Sequence, residues 1–106
     1  MVGLAAIVDI EQYSLGNSSC EAATVQFMNG TVDEIPTAYE IANPVGKRLH
    51  STAVLLHGDA DQIVPISQAS LEGAETLIVE GAGHFDWIHP GSVAFAYLIQ
   101  VLERLL

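Results

Sequence analysis

The sequence predicts an α/β protein: a small parallel sheet of about three strands with covering helices. Three short apolar runs, bounded by turn residues, have the length of buried strands: Val2 to Val8, Ala53 to Leu56 and Thr76 to Val79. Segments with helix-start signals or helical periodicity lie between and after these runs. This alternation is typical of parallel strands joined by helical crossovers.

Composition limits the chain to one domain, residues 1–106. Half of the residues are hydrophobic and 15% are charged, which is too apolar for a disordered chain. Such an apolar composition in a short chain also indicates that some of the surface is covered by a partner.

The charge balance narrows the possible partners. Three Lys and Arg stand against 13 Asp and Glu, a formal charge of −10 that repels phosphate backbones and anionic lipids. Neither nucleic acid nor a membrane is therefore expected as a partner. The single cysteine, Cys20, cannot form an internal disulfide, and Met1 to Ile10 lack the features of a signal peptide. A cytoplasmic location is expected.

The first half of the chain begins with a strand that is expected to end at Asp9. A polar loop from Glu11 to Asn17 follows. Ser18-Ser-Cys-Glu21 has the spacing of a capping box and starts a helix that ends at Asn29-Gly30. Thr31-Val-Asp-Glu34 repeats the capping pattern, and a short helical piece is expected over residues 37–42.

The second half contains the two clearer strands. The strand from Ala53 is expected to end before His57-Gly58, and Pro65 to Leu71 to form a helical turn or two. From Ser92 to Leu106 the polar residues fall at i, i+3 and i+4 among apolar ones, which predicts a helix with a wide buried face.

Polar residues follow these two strands, where reactive groups collect in parallel α/β sheets. The segments are Val54-Leu-Leu-His-Gly-Asp-Ala-Asp-Gln-Ile-Val-Pro65 and Leu77-Ile-Val-Glu-Gly-Ala-Gly-His-Phe-Asp86. The pattern His-Gly-x-x-Asp-x-x-Val-Pro, then Gly-x-Gly-His-Phe after the next strand, resembles the C-terminal half of α/β-hydrolases. It is most similar to the esterase, lipase and prolyl-oligopeptidase-like branches.

The resemblance implies that Asp61 is the acid and His84 the general base of a Ser-His-Asp triad. An ionised carboxylate on one imidazole nitrogen fixes the tautomer, while the other nitrogen takes a proton from the nucleophile. The alternative for Asp61 is capping of the turn at Val64-Pro65. Phe85 and Trp87 are expected to line a substrate pocket, with core or rim packing as the alternative. No cofactor is implied.

Three glycines flank the two polar residues. Gly58, Gly81 and Gly83 are expected to allow tight departures of the chain from its strands.

The sequence has no credible serine nucleophile. No Gly-x-Ser-x-Gly elbow occurs, and the nearest segment, Gly16-Asn-Ser-Ser-Cys20, lacks the final glycine. Ser18 is interpreted as a helix cap. Cys20 has no basic neighbour and lies in an apolar helical context, so a buried, inert thiol is expected.

The remaining histidines are interpreted as structural. His84, Asp86 and His89 have a spacing possible for metal ligands, but no further ligands surround them, so no metal is expected. His57 is expected to be hydrogen-bonded and His50 to lie on the surface.

Three functional hypotheses follow. The first is a truncated or degenerate α/β-hydrolase of esterase or peptidase ancestry, inactive alone and homodimeric through an exposed strand edge at Leu4 to Val8 or an apolar face. The second is one half of a split hydrolase, completed by a serine-bearing partner chain. The third is a non-catalytic module that binds a small ligand.

Overall fold

Three parallel strands form the sheet that positions the candidate site. The computed structural model describes residues 1–106. The strands lie in the order β1 (Val2–Leu4), β2 (Val54–Gly58), β3 (Glu75–Val79). Val54 of β2 lies opposite Val2 on one side and Glu75 on the other. The predicted small parallel sheet of three strands with helices is confirmed.

Four α-helices and two short 3₁₀ turns connect and cover the strands. The helices are α1 (Ile10–Ser14), α2 (Ser19–Met28), α3 (Pro36–Ala42) and α4 (Val93–Leu105). The 3₁₀ turns, at Ile66–Gln68 and Asp86–Ile88, lie in the segments that follow β2 and β3. None of the helices has the length and apolar run that crossing a bilayer requires.

The core lies between one face of the sheet and α4. The central strand β2 is buried along its whole length. Val54 and Leu56 on its core face share a cluster with Ala94 and Val101 of α4. This packing fixes the strand ends that carry the polar loops, because apolar side chains removed from water hold sheet and helix together.

The first strand is shorter than predicted. Ala5 has a left-handed backbone, φ 45°, which turns the chain out of the sheet after Leu4. The amides of Val8 and Asp9 then donate to Oε1 of buried Gln68, at 2.9 and 2.8 Å. The expected strand from Val2 to Asp9 is therefore wrong beyond Leu4, because a distant glutamine replaces the ladder hydrogen bonds.

The loop predicted from Glu11 to Asn17 is also wrong, since helix α1 occupies most of it. Asp9 caps this helix by accepting from the Gln12 amide at 3.2 Å. Asn43 contributes a second contact, donating its Nδ2 to the same carboxylate at 3.0 Å. Asp9 thus acts at a helix N-terminus, where a carboxylate satisfies free amides and opposes the helix dipole.

Both capping patterns read from the sequence are confirmed. The Ser18 hydroxyl accepts from the Glu21 amide and the Glu21 carboxylate accepts from the Ser18 amide, which starts α2. Asn29 ends this helix in a left-handed conformation. Thr31 and Glu34 exchange the same pair of hydrogen bonds.

Three further elements differ in extent from their predictions. Strand β2 continues through His57-Gly58 instead of ending before them. The helical region predicted from Pro65 to Leu71 is a single 3₁₀ turn. Helix α4 begins after its Ser92 cap as expected, but its buried face is narrower: Ile99 and Leu102 each remain 38% exposed.

Candidate functional site

Asp61 lies in the turn that follows β2, with both carboxylate oxygens engaged. Its Oδ1 accepts from the backbone amides of Ile63 and Val64, at 2.8 and 2.9 Å. Its Oδ2 lies 2.9 Å from Nδ1 of His84. The turn-capping role considered as an alternative is therefore present beside the predicted contact with His84, because each role uses a different oxygen.

His84 reaches Asp61 because the loops after β2 and β3 touch. The amide of Ala60 donates to the Ala82 carbonyl at 3.1 Å. A Cβ on Gly58 would overlap that same carbonyl, so only glycine permits this approach. Gly81 has a φ of +74°, which also favours glycine. The prediction for Gly83 is wrong: its φ is not left-handed, and an added Cβ would meet no atom closer than 3.6 Å.

The two side chains of the pair differ in burial, and hydrogen bonds stabilise the ionised form of Asp61. The side chain of Asp61 is fully buried, whereas that of His84 is 25% exposed. Burial alone raises the pKa of the Asp61 carboxyl, but hydrogen bonds from the Val64 amide, His84 and the Ile63 amide outweigh it, so the pKa lies below its ordinary value. Because an ionised carboxylate only accepts, Nδ1 of His84 carries the proton in this contact. In a neutral imidazole with that tautomer, the lone pair is on Nε2.

His57 lies beneath this pair. It is 1% exposed, and its Nε2 lies 3.0 Å from the Val64 carbonyl and 4.0 Å from Oδ2 of Asp61. Because the carbonyl only accepts, Nε2 of His57 carries the proton. The prediction of a hydrogen-bonded structural histidine is confirmed. His50 is exposed, as predicted, and pairs with Thr52.

The two aromatic residues beside His84 have different surroundings. Phe85 is 64% exposed and meets the His84 ring edge-on, with centroids 5.0 Å apart. Trp87 is 1% exposed and belongs to the core cluster. Solvent and ligands have no access to Trp87, so its expected pocket-lining role is wrong in this chain and the packing alternative holds.

No nucleophilic side chain is hydrogen-bonded to the imidazole. Ser18 caps α2. Cys20 lies in the first turn of α2 and is exposed, so the expectation of a buried thiol is wrong. The only side chain hydrogen-bonded to His84 is Asp61.

The possible metal-ligand spacing in this loop does not form a site. No group of three or more His, Cys, Asp or Glu side chains is placed to hold an ion. Asp86 instead accepts from the Gly83 amide at 2.7 Å, and His89 is exposed.

Cavities of the molecule lie away from the Asp61–His84 pair. One groove of about 420 Å³ lies over α1 and α2; it is lined by Ile7, Ile10, Tyr13, Cys20, Ala23, Thr24 and Phe27. A second groove of similar volume lies around Gly46 to Ser51. Neither of these two grooves, and neither of the two smaller depressions, includes Asp61 or His84. The exposed part of His84 therefore lies on surface that no groove encloses.

One residue at the site, Tyr13, was not predicted from the sequence. Tyr13 of α1 is 4% exposed and donates its hydroxyl to the Ile63 carbonyl at 3.0 Å. No local pattern around Tyr13 signals this contact, because its partner is fifty residues away along the chain.

No protein-family model and no curated protein matches this sequence. The chemistry of the site therefore rests on its geometry. A buried, ionised carboxylate orients a partly exposed imidazole, whose second nitrogen, Nε2, makes no hydrogen bond within the chain.

Proposed function

We propose that this chain carries the acid–base half of a hydrolase active site, with Asp61 as the orienting acid and His84 as the general base. The observation that carries the proposal is the 2.9 Å contact between Asp61 Oδ2 and His84 Nδ1 at the carboxyl ends of adjacent parallel strands. The arrangement is similar to the acid–histidine part of α/β-hydrolases of the esterase, lipase and peptidase type. It supports ester or peptide hydrolysis as the ancestral reaction.

In the proposed reaction, His84 Nε2 takes the proton of a serine hydroxyl as that oxygen attacks an acyl carbon. The imidazolium that forms is stabilised by Asp61 and then returns its proton to the leaving group. The serine comes from a polypeptide segment outside these 106 residues, because no serine, threonine or cysteine side chain here is hydrogen-bonded to His84. The open surface beside the pair is consistent with pocket walls that come from the same source.

Chemical acylation of the imidazole tests the pair without requiring the serine. Diethyl pyrocarbonate acylates neutral, accessible imidazole nitrogens, and mass spectrometry of the peptides gives a rate for each histidine. We expect His84 to react faster than exposed His50 and His89, since its Nδ1 proton is held by a carboxylate. Buried His57 serves as the unreactive reference.

Asp61→Asn is the decisive variant for this experiment. An amide cannot stabilise the charge that develops on the imidazole, so the His84 rate should fall about tenfold, the equivalent of a charge-assisted hydrogen bond. The rates of His50 and His89 should not change. Equal His84 rates in wild type and Asp61→Asn would overturn the proposed acid–base pair.

A chromogenic short-chain ester provides the complementary test. The chain alone should show no stoichiometric burst of acyl-enzyme, and His84→Ala should match the wild type at background rate, because the covalent route requires the absent serine. A burst that is lost in His84→Ala would show that the chain contains its own nucleophile and would contradict the proposal of a half-site.

We also propose that another chain covers the edge of β1 and the apolar faces of this protein. The outer edge of β1 has no neighbouring strand, and its residues Val2, Gly3 and Leu4 carry no charge that would deter pairing. In a purified sample, only a second copy of the chain is present to cover these surfaces. Self-association is therefore expected for the isolated protein, and a serine-bearing chain would compete for the same surface.

A further inference from the structure

The two residues that donate to Asp61, Ile63 and Val64, are themselves hydrogen-bonded at their carbonyl groups. The amides of Ile63 and Val64 donate to Asp61 Oδ1. The carbonyls of the same two residues accept from buried side chains, Ile63 from the Tyr13 hydroxyl and Val64 from His57 Nε2, each at 3.0 Å.

The hydrogen bond of Tyr13 is connected to the candidate catalytic pair through one peptide group. The Ile63 carbonyl and the Val64 amide belong to one peptide group, so a donor on that oxygen polarises that N–H. The connected path runs from the Tyr13 hydroxyl through this peptide to Asp61 Oδ1, and from Oδ2 to Nδ1 of His84. Hydrogen bonds in such a chain strengthen one another where water is excluded.

We propose that Tyr13 and His57 are positioning residues for the Asp61–His84 pair, acting through the carbonyls of Ile63 and Val64. This inference rests on the proposed function. Tyr13 reaches from helix α1 and fixes the peptide group whose N–H binds Oδ1. His57 fixes the next peptide from within β2. The carboxylate is thereby held with Oδ2 directed at His84.

The ionisation of Tyr13 suits this task. Burial, together with the nearby carboxylates of Glu21 and Asp61, raises the pKa of its phenol above the ordinary value. The hydroxyl therefore remains a hydrogen-bond donor throughout the neutral range. Tyr13 also lines the apolar groove over α1 and α2.

Tyr13→Phe tests the proposal because it removes one hydroxyl and keeps the ring. Tyr39→Phe is its matched control: Tyr39 is fully buried and donates its hydroxyl to the Gly30 carbonyl, also at 3.0 Å, but at a place remote from Asp61 in the contact network. Both variants lose one neutral tyrosine–carbonyl hydrogen bond. A similar decrease in unfolding stability is expected for both, so stability alone does not separate them.

The reactivity of His84 separates the two variants. In Tyr13→Phe the diethyl pyrocarbonate rate of His84 should fall by about twofold or more, the lower end of the net free energy of one hydrogen bond. The pKa of the Asp61 carboxyl, followed by NMR of its carboxyl carbon, should rise. In Tyr39→Phe both quantities should equal the wild-type values. Wild-type values in Tyr13→Phe would overturn the positioning role of Tyr13.

His57→Gln and His57→Phe test the positioning role of His57. Glutamine retains an N–H donor of similar reach, whereas phenylalanine fills the space without one. His84 reactivity should be retained largely in the first and reduced in the second. If the two variants react alike, the role assigned to His57 is wrong.

The two proposals fail in different ways. If Asp61→Asn leaves the His84 rate unchanged, the acid–base pair itself is absent and the proposed function fails. If Asp61→Asn slows His84 but Tyr13→Phe and His57→Phe do not, the proposed function stands and the positioning inference fails.

Discussion

At the scale of single residues, Asp61 couples local backbone geometry to the chemistry of the site. One oxygen satisfies two amides of its own turn and the other orients His84. A carboxylate with this many donors is stable in the ionised form although water does not reach it. The same hydrogen bonds that orient His84 therefore also contribute to the stability of the folded chain.

The pH dependence of unfolding should reveal this coupling. Because the folded pKa of Asp61 lies below its ordinary value, the unfolded state binds the proton more tightly. The stability that Asp61 contributes is fully present above the unfolded carboxyl pKa of about 3.9 and is lost as the pH falls from there through the folded pKa. Urea unfolding between neutral and acid pH measures this loss. In Asp61→Asn we expect lower stability at neutral pH and a shallower acid-side decrease.

Asp33→Asn is the control for this titration. Asp33 is exposed and makes no hydrogen bond within the chain. Its replacement should leave the acid-side decrease as in the wild type. If Asp61→Asn and Asp33→Asn had the same pH profile, the carboxylate would not be held by the contacts described above.

Sequence reasoning was sufficient for the central pair but not for its surroundings. Asp61 and His84 follow strands of clear pattern, and parallel strands bring their carboxyl ends together, so their contact was predictable. Trp87 was assigned to a pocket because it is an aromatic residue three positions from His84, yet its ring faces the core. The contact of Tyr13 with Ile63 depends on how α1 folds over the sheet, which no local signal specifies.

At the scale of elements, the contact between the loops after β2 and β3 depends on one glycine. Gly58→Ala would force its Cβ into the Ala82 carbonyl, and backbone on both sides must move to relieve the overlap. We expect a loss of about 1–3 kcal/mol, typical of overpacking, in urea unfolding. The His84 acylation rate should also fall, since Asp61 and His84 reside on the two loops that are driven apart.

Gly83→Ala is the matched substitution for that experiment. Gly83 is directly next to His84, but an added Cβ there makes only ordinary contact, 3.6 Å from Oδ2 of Asp86. Stability and His84 reactivity should stay near wild type. A larger effect at Gly83 than at Gly58 would contradict the close approach of the loops.

The role of Ser18 is tested at the same scale. Its hydroxyl accepts from the Glu21 amide at 3.2 Å and starts helix α2. Ser18→Ala should cost about 1 kcal/mol of stability, the usual value for a lost N-cap. The His84 acylation rate and the ester background should be unchanged. A selective loss of ester turnover would instead identify Ser18 as a nucleophile.

Elements with strong local signals were predictable, whereas those defined by distant contacts were not. The capping boxes at Ser18 and Thr31 are local hydrogen-bond patterns, and both form. The end of β1 is decided by Ala5 and by the side chain of Gln68, sixty residues from Val8. The apolar run beyond Leu4 therefore had a strand-like composition without a strand conformation.

At the scale of the whole molecule, the chain is flat and incompletely covered. Its extents are 42 × 30 × 18 Å and its radius of gyration is 14.5 Å, larger than the roughly 13 Å of a compact domain of this size. Only 21 of 106 residues are buried, while large apolar side chains such as Phe27, Ile41 and Ile88 are mostly exposed. This distribution supports the proposed covering of the surface by another chain.

Helix α4 presents one part of that uncovered surface. Its inner stripe, Ala94, Leu98, Val101 and Leu105, packs on the core or against it. Beside it lies an outer apolar stripe at the same spacing, Phe95, Ile99, Leu102 and Leu106, whose last three residues are 38% exposed or more. The four residues of this stripe are separated by four, three and four positions, a sequence of intervals that is the same in either direction along the helix. Two copies of α4 in antiparallel orientation can therefore place apolar residues opposite one another.

Light scattering after size-exclusion chromatography measures the proposed self-association. Each chain carries a formal charge of −10, so two copies repel one another at low ionic strength. The weight-average mass should therefore rise with salt, because screening removes the repulsion while apolar association persists. Ile99→Glu, on the outer stripe, should hold the protein nearer to the monomer mass at high salt. Gln100→Glu adds the same charge at a neighbouring exposed position away from the stripe and should associate like the wild type. A monomer at every salt and protein concentration would show that this surface is not covered by a second copy.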